Sequence, residues 1–163
     1  MLKKDRMKDV RLKGKTELEV CSKRILYIDN DPSICCLVQA SLEQFTFWQV
    51  TTATGTQALE QARTELWDAV LLEIAAFDGN EAATYDPFIQ DLATRQIPLL
   101  LFTTKVMRRD YQQYQQMTIS GVIAKPFDPV TMGVEIANLL SWEPPRPIVQ
   151  ATTPDVRFCV DDS

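Results

Sequence analysis

Ile25-Leu-Tyr-Ile-Asp-Asn-Asp-Pro32 is the stretch from which the fold follows. Residues 25–28 are apolar and β-prone throughout, as a strand covered on both faces must be. The polar run Asp29-Asn30-Asp31 closes the strand. Asp31-Pro32 then opens a helix as N-cap and first-turn proline, with Ile34, Leu37, Val38, Leu42 and Phe45 on one face. An apolar strand, a polar hinge and an amphipathic helix make one βα unit.

Working outward, the same unit recurs. Trp48 to Ala53 reads as a second strand, and Thr54-Gly55-Thr56 turns into a helix carrying Ala58, Leu59, Ala62 and Leu66. Ala69-Val-Leu-Leu-Glu-Ile74 is a third strand with a charge near its end, followed by a helix that Asp86-Pro87 is expected to start and that runs to about Arg95. Pro98-Leu-Leu-Leu-Phe102 is a fourth strand, after which the polar segment from Val106 to Met117 is expected to be helical. Val122-Ile-Ala124 is a brief fifth strand, and Asp128-Pro129 is expected to cap a last helix bearing Val130, Val134, Ile136, Leu139 and Leu140. Five strand–helix repeats predict an α/β fold: a five-stranded parallel sheet, doubly wound in three layers, with helices on both faces. In such sheets the binding crevice lies at the carboxyl ends of the strands, which selects Asp29-Asn30-Asp31, Glu73, Thr103-Thr104 and Lys125 as neighbours.

Composition narrows the chemistry. The 163 residues are 45% hydrophobic and 24% charged, an ordinary globular balance. The chain has no histidine, which removes Ser-His-Asp and Cys-His catalysis, histidine-ligated metals and phosphohistidine carriage. Cys21, Cys35, Cys36 and Cys159 form no CxxC pair and lack zinc-ligand spacing, so reduced thiols are expected, with Cys35 and Cys36 on different sides of a helix. Neither GxxxxGK[ST] nor GxGxxG occurs, which excludes P-loop and dinucleotide readings.

Charge is unevenly spread along a chain of net charge −5. Residues 1–24 hold nine Lys/Arg against four Asp/Glu, and the remainder holds eight against eighteen. Residues 1–22 are therefore read as a basic arm, 23–142 as the folded domain, and 143–163, opening on Glu143-Pro-Pro-Arg-Pro147 and ending in Asp161-Asp162-Ser163, as a Pro-rich, acidic tail. The arm has few aromatics and no nucleic-acid motif, so no nucleic-acid partner is expected. No secretory h-region and no apolar run of membrane-spanning length occurs, so a cytoplasmic protein without membrane contact is expected.

The segments 25–32, Leu71-Leu-Glu-Ile74, Pro98 to Thr103 and Ala124-Lys-Pro-Phe127, with Gly55 and Ala58-Leu59 between them, resemble a response-regulator receiver domain of the CheY-like, flavodoxin-like kind over about 120 residues. In that family an aspartate takes a phosphoryl group beside a magnesium ion. Carried over position by position, the resemblance puts the phospho-acceptor at Glu73, the acidic pocket at Asp29 and Asn30, and the phosphate contacts at Thr103 and Lys125. Its metal ligands would be Asp29, Glu73 and the carbonyl of Ala75.

The departures from the family pattern point to a degenerate receiver. Glu73 stands where the family has aspartate and carries its carboxylate about 1.5 Å further out. A displacement of about 1 Å can cost ~100-fold in rate. Asn30 replaces a second acid, so magnesium is expected to bind weakly or not at all. Thr104 is larger than the usual residue after the switch hydroxyl, and Lys105 follows it within reach of the pocket. Val122 replaces the family's inward-swinging aromatic, Phe77 replaces a proline, and the loop from Ala75 to Tyr85 is rebuilt.

The resemblance and these departures together imply a stand-alone signalling adaptor of two-component systems, not an enzyme, that acts by phosphorylation-independent protein contact. The expected partner is a histidine kinase, a phosphotransfer protein or another regulator, with a homodimer also open. Arg108, Arg109, Tyr111 and Tyr114, on the helix expected over 106–117, are the candidate anchors. Two alternatives stand beside it. One is a conventional phospho-accepting receiver. The other is a haloacid-dehalogenase-type phosphatase using Asp29 as nucleophile and Asp31 as general acid, against which Pro32 and the short chain count.

Overall fold

A computed structural model describes residues 22–73, 81–104 and 118–145. Five strands, β1 (Arg24–Ile28), β2 (Gln49–Ala53), β3 (Ala69–Glu73), β4 (Leu99–Thr103) and β5 (Gly121–Ala124), form one sheet in the order β2-β1-β3-β4-β5. Every pairing is parallel. Four described helices cover it: α1 (Pro32–Phe45), α2 (Gly55–Thr64), α3 (Glu81–Thr94) and α4 (Met132–Leu139). The expected doubly wound α/β architecture is therefore the observed one. The helix expected over 106–117, with Arg108, Arg109, Tyr111 and Tyr114, lies outside the described residues, as do Cys21, Cys159 and most of the two terminal segments.

Strand alternation splits the core in two. Leu26, Ile28, Val70, Leu72, Leu99 and Leu101 face one side and pack against Ala58 and Ala62 of α2 and Phe88, Ile89 and Leu92 of α3. Ile25, Tyr27, Leu71, Leu100, Phe102 and Ile123 face the other and meet Cys35, Val38 and Leu42 of α1 and Met132, Ile136 and Ala137 of α4. Successive side chains point to opposite faces of a strand, so a sheet buried on both sides needs an unbroken apolar run. Residues 69–72 and 99–102 supply it.

Local detail departs from the sequence reading in several places. Helix α3 begins at Glu81, so Pro87 sits inside it instead of at its first turn; residues 81–86, which include Ala82 and Ala83, join the same helix. Leu66 lies beyond the end of α2 and is exposed, not part of its apolar face. In α1 the buried stripe is Cys35, Val38, Ser41 and Leu42, whereas Leu37 is exposed. Cys35 is buried and Cys36 exposed, as a 100° step around a helix requires.

The last helix is also shorter than its apolar pattern suggested. Asp128 accepts from the N–H of Val130 in a turn, and regular helix starts only at Met132. That rotation leaves Val130 and Val134 exposed and buries Met132, Gly133, Ile136 and Ala137. Gly133 lets α4 lie close to the end of α1: a Cβ there would stand 2.7 Å from Thr46 Cγ2 and 3.6 Å from Pro145 Cγ. Beyond α4, Trp142 meets Trp48 edge-on at 5.4 Å and carries the Lys23 ammonium over its ring.

Candidate functional site

The register of the sheet assembles the site. Ile28 pairs with Leu72, so the next residues, Asp29 and Glu73, come side by side at the carboxyl end of β1 and β3. Thr103 pairs with Ala124, and its carbonyl accepts from the Lys125 N–H at 2.9 Å, which sets Lys125 one step beyond β5. Asp29 follows Tyr27, Glu73 follows Leu71 and Lys125 follows Ile123 at a spacing of two, so all three belong to the α1/α4 side of the sheet.

Their side chains meet. Lys125 Nζ donates to Asp29 Oδ2 at 2.7 Å and stands 2.8 Å from Glu73 Oε2. Asp29 is 4% exposed and Glu73 8%, so one ammonium answers two carboxylates in a largely desolvated cleft. The Lys125–Pro126 peptide that follows is cis.

Asp29 has further donors. Tyr27, fully buried and edge-on to Phe102 at 5.4 Å, donates its hydroxyl to Asp29 Oδ2 at 2.6 Å. The Asp31 N–H donates to Oδ1 at 2.9 Å. Burial pushes the Asp29 carboxyl upward, but the bonds from Lys125, Tyr27 and the Asp31 N–H outweigh it and hold it below its ordinary value. Burial likewise opposes the charge on Lys125, and its bonds to Asp29 and Glu73 overcome that and raise it. The Tyr27 hydroxyl is raised by burial first and by its bond to Asp29 second.

The other predicted residues take different places. Asn30 is exposed, and its Oδ1 accepts from the Gly55 N–H at 3.2 Å. It thereby satisfies a free donor at the start of α2, whose own N-cap Thr54 makes no side-chain cap bond. Gly55 itself has φ +53°, a left-handed backbone that favours glycine. Asp31 caps α1 by accepting from Ser33 and Ile34 N–H groups, as the sequence suggested. Thr103 is buried at the end of β4, Thr104 is exposed, and Val122 packs against the α2/α3 side of the core. Ala75, Phe77 and Lys105 lie outside the described residues.

The oxygens that a cation would use in this cleft already carry protein partners. Both oxygens of Asp29 already accept from protein donors, Lys125 stands against Glu73, and the Asn30 carbonyl oxygen is turned to α2.

Sequence reasoning missed Tyr27. Residues 25–28 were read as uniformly apolar, yet a tyrosine two positions before a strand-end acid lies on the same face and can reach it.

Comparison with known proteins identifies the family. The family model described as "Response regulator receiver domain" matches residues 25–137. Among curated proteins the chain is similar to the alkaline phosphatase synthesis transcriptional regulatory protein PhoP of Bacillus subtilis, 27% identical over 123 residues, 73% of this chain and 49% of that protein. The chain thus spans about half the length of this relative. Among solved structures it is similar to the chemotaxis protein CheY4 of Vibrio cholerae, with TM-score 0.60 and 22% identity over 72% of this chain and 98% of that one. It is also similar to the receiver domain of sensor histidine kinase PA1611 from Pseudomonas aeruginosa, a structure with magnesium coordinated in its active-site cleft. That likeness has TM-score 0.61 and 20% identity, over 74% of this chain and 98% of that one. At such identities the two structures speak for the fold alone.

Proposed function

The chain belongs to the response regulator receiver domain family, and from that premise we propose that it signals by protein contact without phosphorylation, as a receiver whose acceptor position is held by Glu73. The observation that carries this reading is the Lys125 ammonium lodged between Asp29 and Glu73, at 2.7 and 2.8 Å. In this arrangement the acceptor-position carboxylate is already engaged by a cation, and its longer arm brings negative charge to the Lys125 that would otherwise contact a phosphoryl oxygen. A side chain then does the work of a modification, biasing the domain toward one conformer.

The partner class that fits is another two-component protein: a histidine kinase, a phosphotransfer protein or a second regulator. Catalytic turnover forms no part of this proposal. Among the described residues no helix is long and apolar enough to cross a membrane. We place the domain in the cytoplasm, where such partners present their phosphorelay surfaces. The phosphatase alternative has no support in the geometry, because Asp31, its required general acid, is used as the cap of α1.

The test is intact mass after incubation with magnesium and an acyl-phosphate donor, run beside the Glu73→Asp/Asn30→Asp double variant. The expected result is no phosphoryl addition to the natural protein and addition to the variant. Addition to the natural protein overturns the proposal and makes the chain a conventional phospho-switch with an unusual acceptor.

A further inference from the structure

We propose that Tyr27 is a positioning residue that commits Asp29 to Lys125, so that the receiver cleft is neutralised by the protein's own ammonium in place of a divalent cation. The inference rests on the cleft identified above, but it does not depend on whether Glu73 can be phosphorylated.

A carboxylate can serve as a metal ligand only if a lone pair faces the ion. Asp29 Oδ2 receives two donors, the Tyr27 hydroxyl at 2.6 Å and Lys125 Nζ at 2.7 Å, while Oδ1 receives the Asp31 N–H at 2.9 Å. Tyr27 makes its bond from below, out of the core, where it is fully buried and its ring is fixed edge-on to Phe102. A phenol so placed cannot swing away to admit a competing ligand without opening the packed α1/α4 side of the sheet. With Oδ2 anchored from beneath, its open side faces Lys125, and the ammonium completes the shell.

Charge points the same way. Asp29, Glu73 and Lys125 sum to −1, because Asn30 contributes no formal charge and turns its carbonyl oxygen to the Gly55 N–H. A cation binding Asp29 Oδ2 would have to displace Lys125 or Tyr27, the two donors on that oxygen. Like-charge repulsion from an incoming cation acts on Lys125 but not on the neutral Tyr27 hydroxyl, which packing against Phe102 holds in place. Tyr27 is therefore the residue whose loss should reopen the site most cleanly.

The test is magnesium binding to the natural protein, Tyr27→Phe and Lys125→Met, without any phosphodonor. It is read by isothermal titration and by the magnesium-dependent shift in melting temperature, with potassium chloride at matched ionic strength as control. Tyr27→Phe keeps the ring and its contact with Phe102, so any general loss of stability appears equally with and without magnesium and cancels in the shift. The expected result is weak or undetectable binding by the natural protein and tightening on the order of ten- to hundredfold in Tyr27→Phe, the size of one hydrogen bond to a charged group. Lys125→Met should gain binding as well. Equal affinity in the natural protein and Tyr27→Phe overturns the proposal. So does a natural protein that binds magnesium as tightly as the Glu73→Asp/Asn30→Asp variant, a result that needs no folded Tyr27 variant. Phosphoryl addition to the natural protein in the mass experiment would sink the phosphorylation-independent reading and leave this one to the cation titration.

Discussion

Replacing Lys125 with methionine tests how far the cleft depends on a single ammonium. Its side chain is 13% exposed, and its partners Asp29 and Glu73 are 5% and 10% exposed at the side chain, with contacts of 2.7 and 2.8 Å. Methionine fills similar volume but leaves two carboxylates facing each other in a desolvated cleft. Breaking a buried pair by removing one partner costs about 3–5 kcal/mol, far more than the ~0–1 kcal/mol of an exposed pair. With a urea slope of about 2 kcal/mol/M, the unfolding midpoint should fall by roughly 2 M. Trp48, Trp67 and Trp142 provide the fluorescence signal. In a Glu73→Gln background the same replacement should cost less by about 1–2 kcal/mol, because one of the stranded charges is gone. The Asp29 carboxyl is held below its ordinary value, so its contribution is present above a pH of about 3.9 and fades as pH falls through the lower folded value. The penalty of Lys125→Met should shrink over the same acid range. A loss under about 1 kcal/mol at neutral pH, with no coupling to Glu73, would refute the buried triad.

Three further outcomes follow from the geometry. Asp31→Ala removes the side chain that accepts from Ser33 and Ile34 N–H groups and should cost about 1 kcal/mol in chemical denaturation. Gly133→Ala should destabilise by about 1–2 kcal/mol despite the helix propensity of alanine, since its Cβ would meet Thr46 Cγ2 at 2.7 Å. Adding Thr46→Ser, which deletes that methyl, should restore most of the melting temperature. At alkaline pH, Tyr27 and Lys125, both raised in the fold, keep protons that the unfolded chain releases from about pH 10. Stability should be level below that value and fall above it, and the fall should be shallower in Tyr27→Phe, as pH-dependent melts would show.

The central strands β1, β3 and β4 were legible because a sheet covered on both faces demands continuous apolar runs there, whereas the edge strand β2, Gln-Val-Thr-Thr-Ala, lacks one. Their carboxyl ends then located Asp29, Glu73 and Lys125 without any view of the structure. Helix boundaries were less legible for a physical reason. The Asp-Pro pairs at 86–87 and 128–129 look alike in sequence, yet the first lies within α3 and the second forms a turn before α4. Neighbouring packing decides between them: α4 has to present Gly133 to Thr46, which fixes its rotation and exposes Val130 and Val134. Asn30 was read by its position in a family pocket, but a short amide next to a helix start finds the nearer free N–H, that of Gly55. Tyr27 was hidden by its own burial, because aromatic bulk made it read as core and masked a hydroxyl that needs a partner there.

In the proposed reading Tyr27, Asn30 and Glu73 act on the cleft in one direction. A pocket that holds a divalent cation must be left under-neutralised by its own protein, with lone pairs turned inward. Asn30 removes one charge and points its oxygen away, and Glu73 carries its carboxylate to Lys125. Tyr27 donates to Asp29 Oδ2, the place that the proposal has it keep from a metal. Together they balance, since each buried carboxylate has its cation or donor. On the proposed reading the receiver scaffold is kept whole while its cleft is closed from within, and what the domain varies is the surface it shows to another protein.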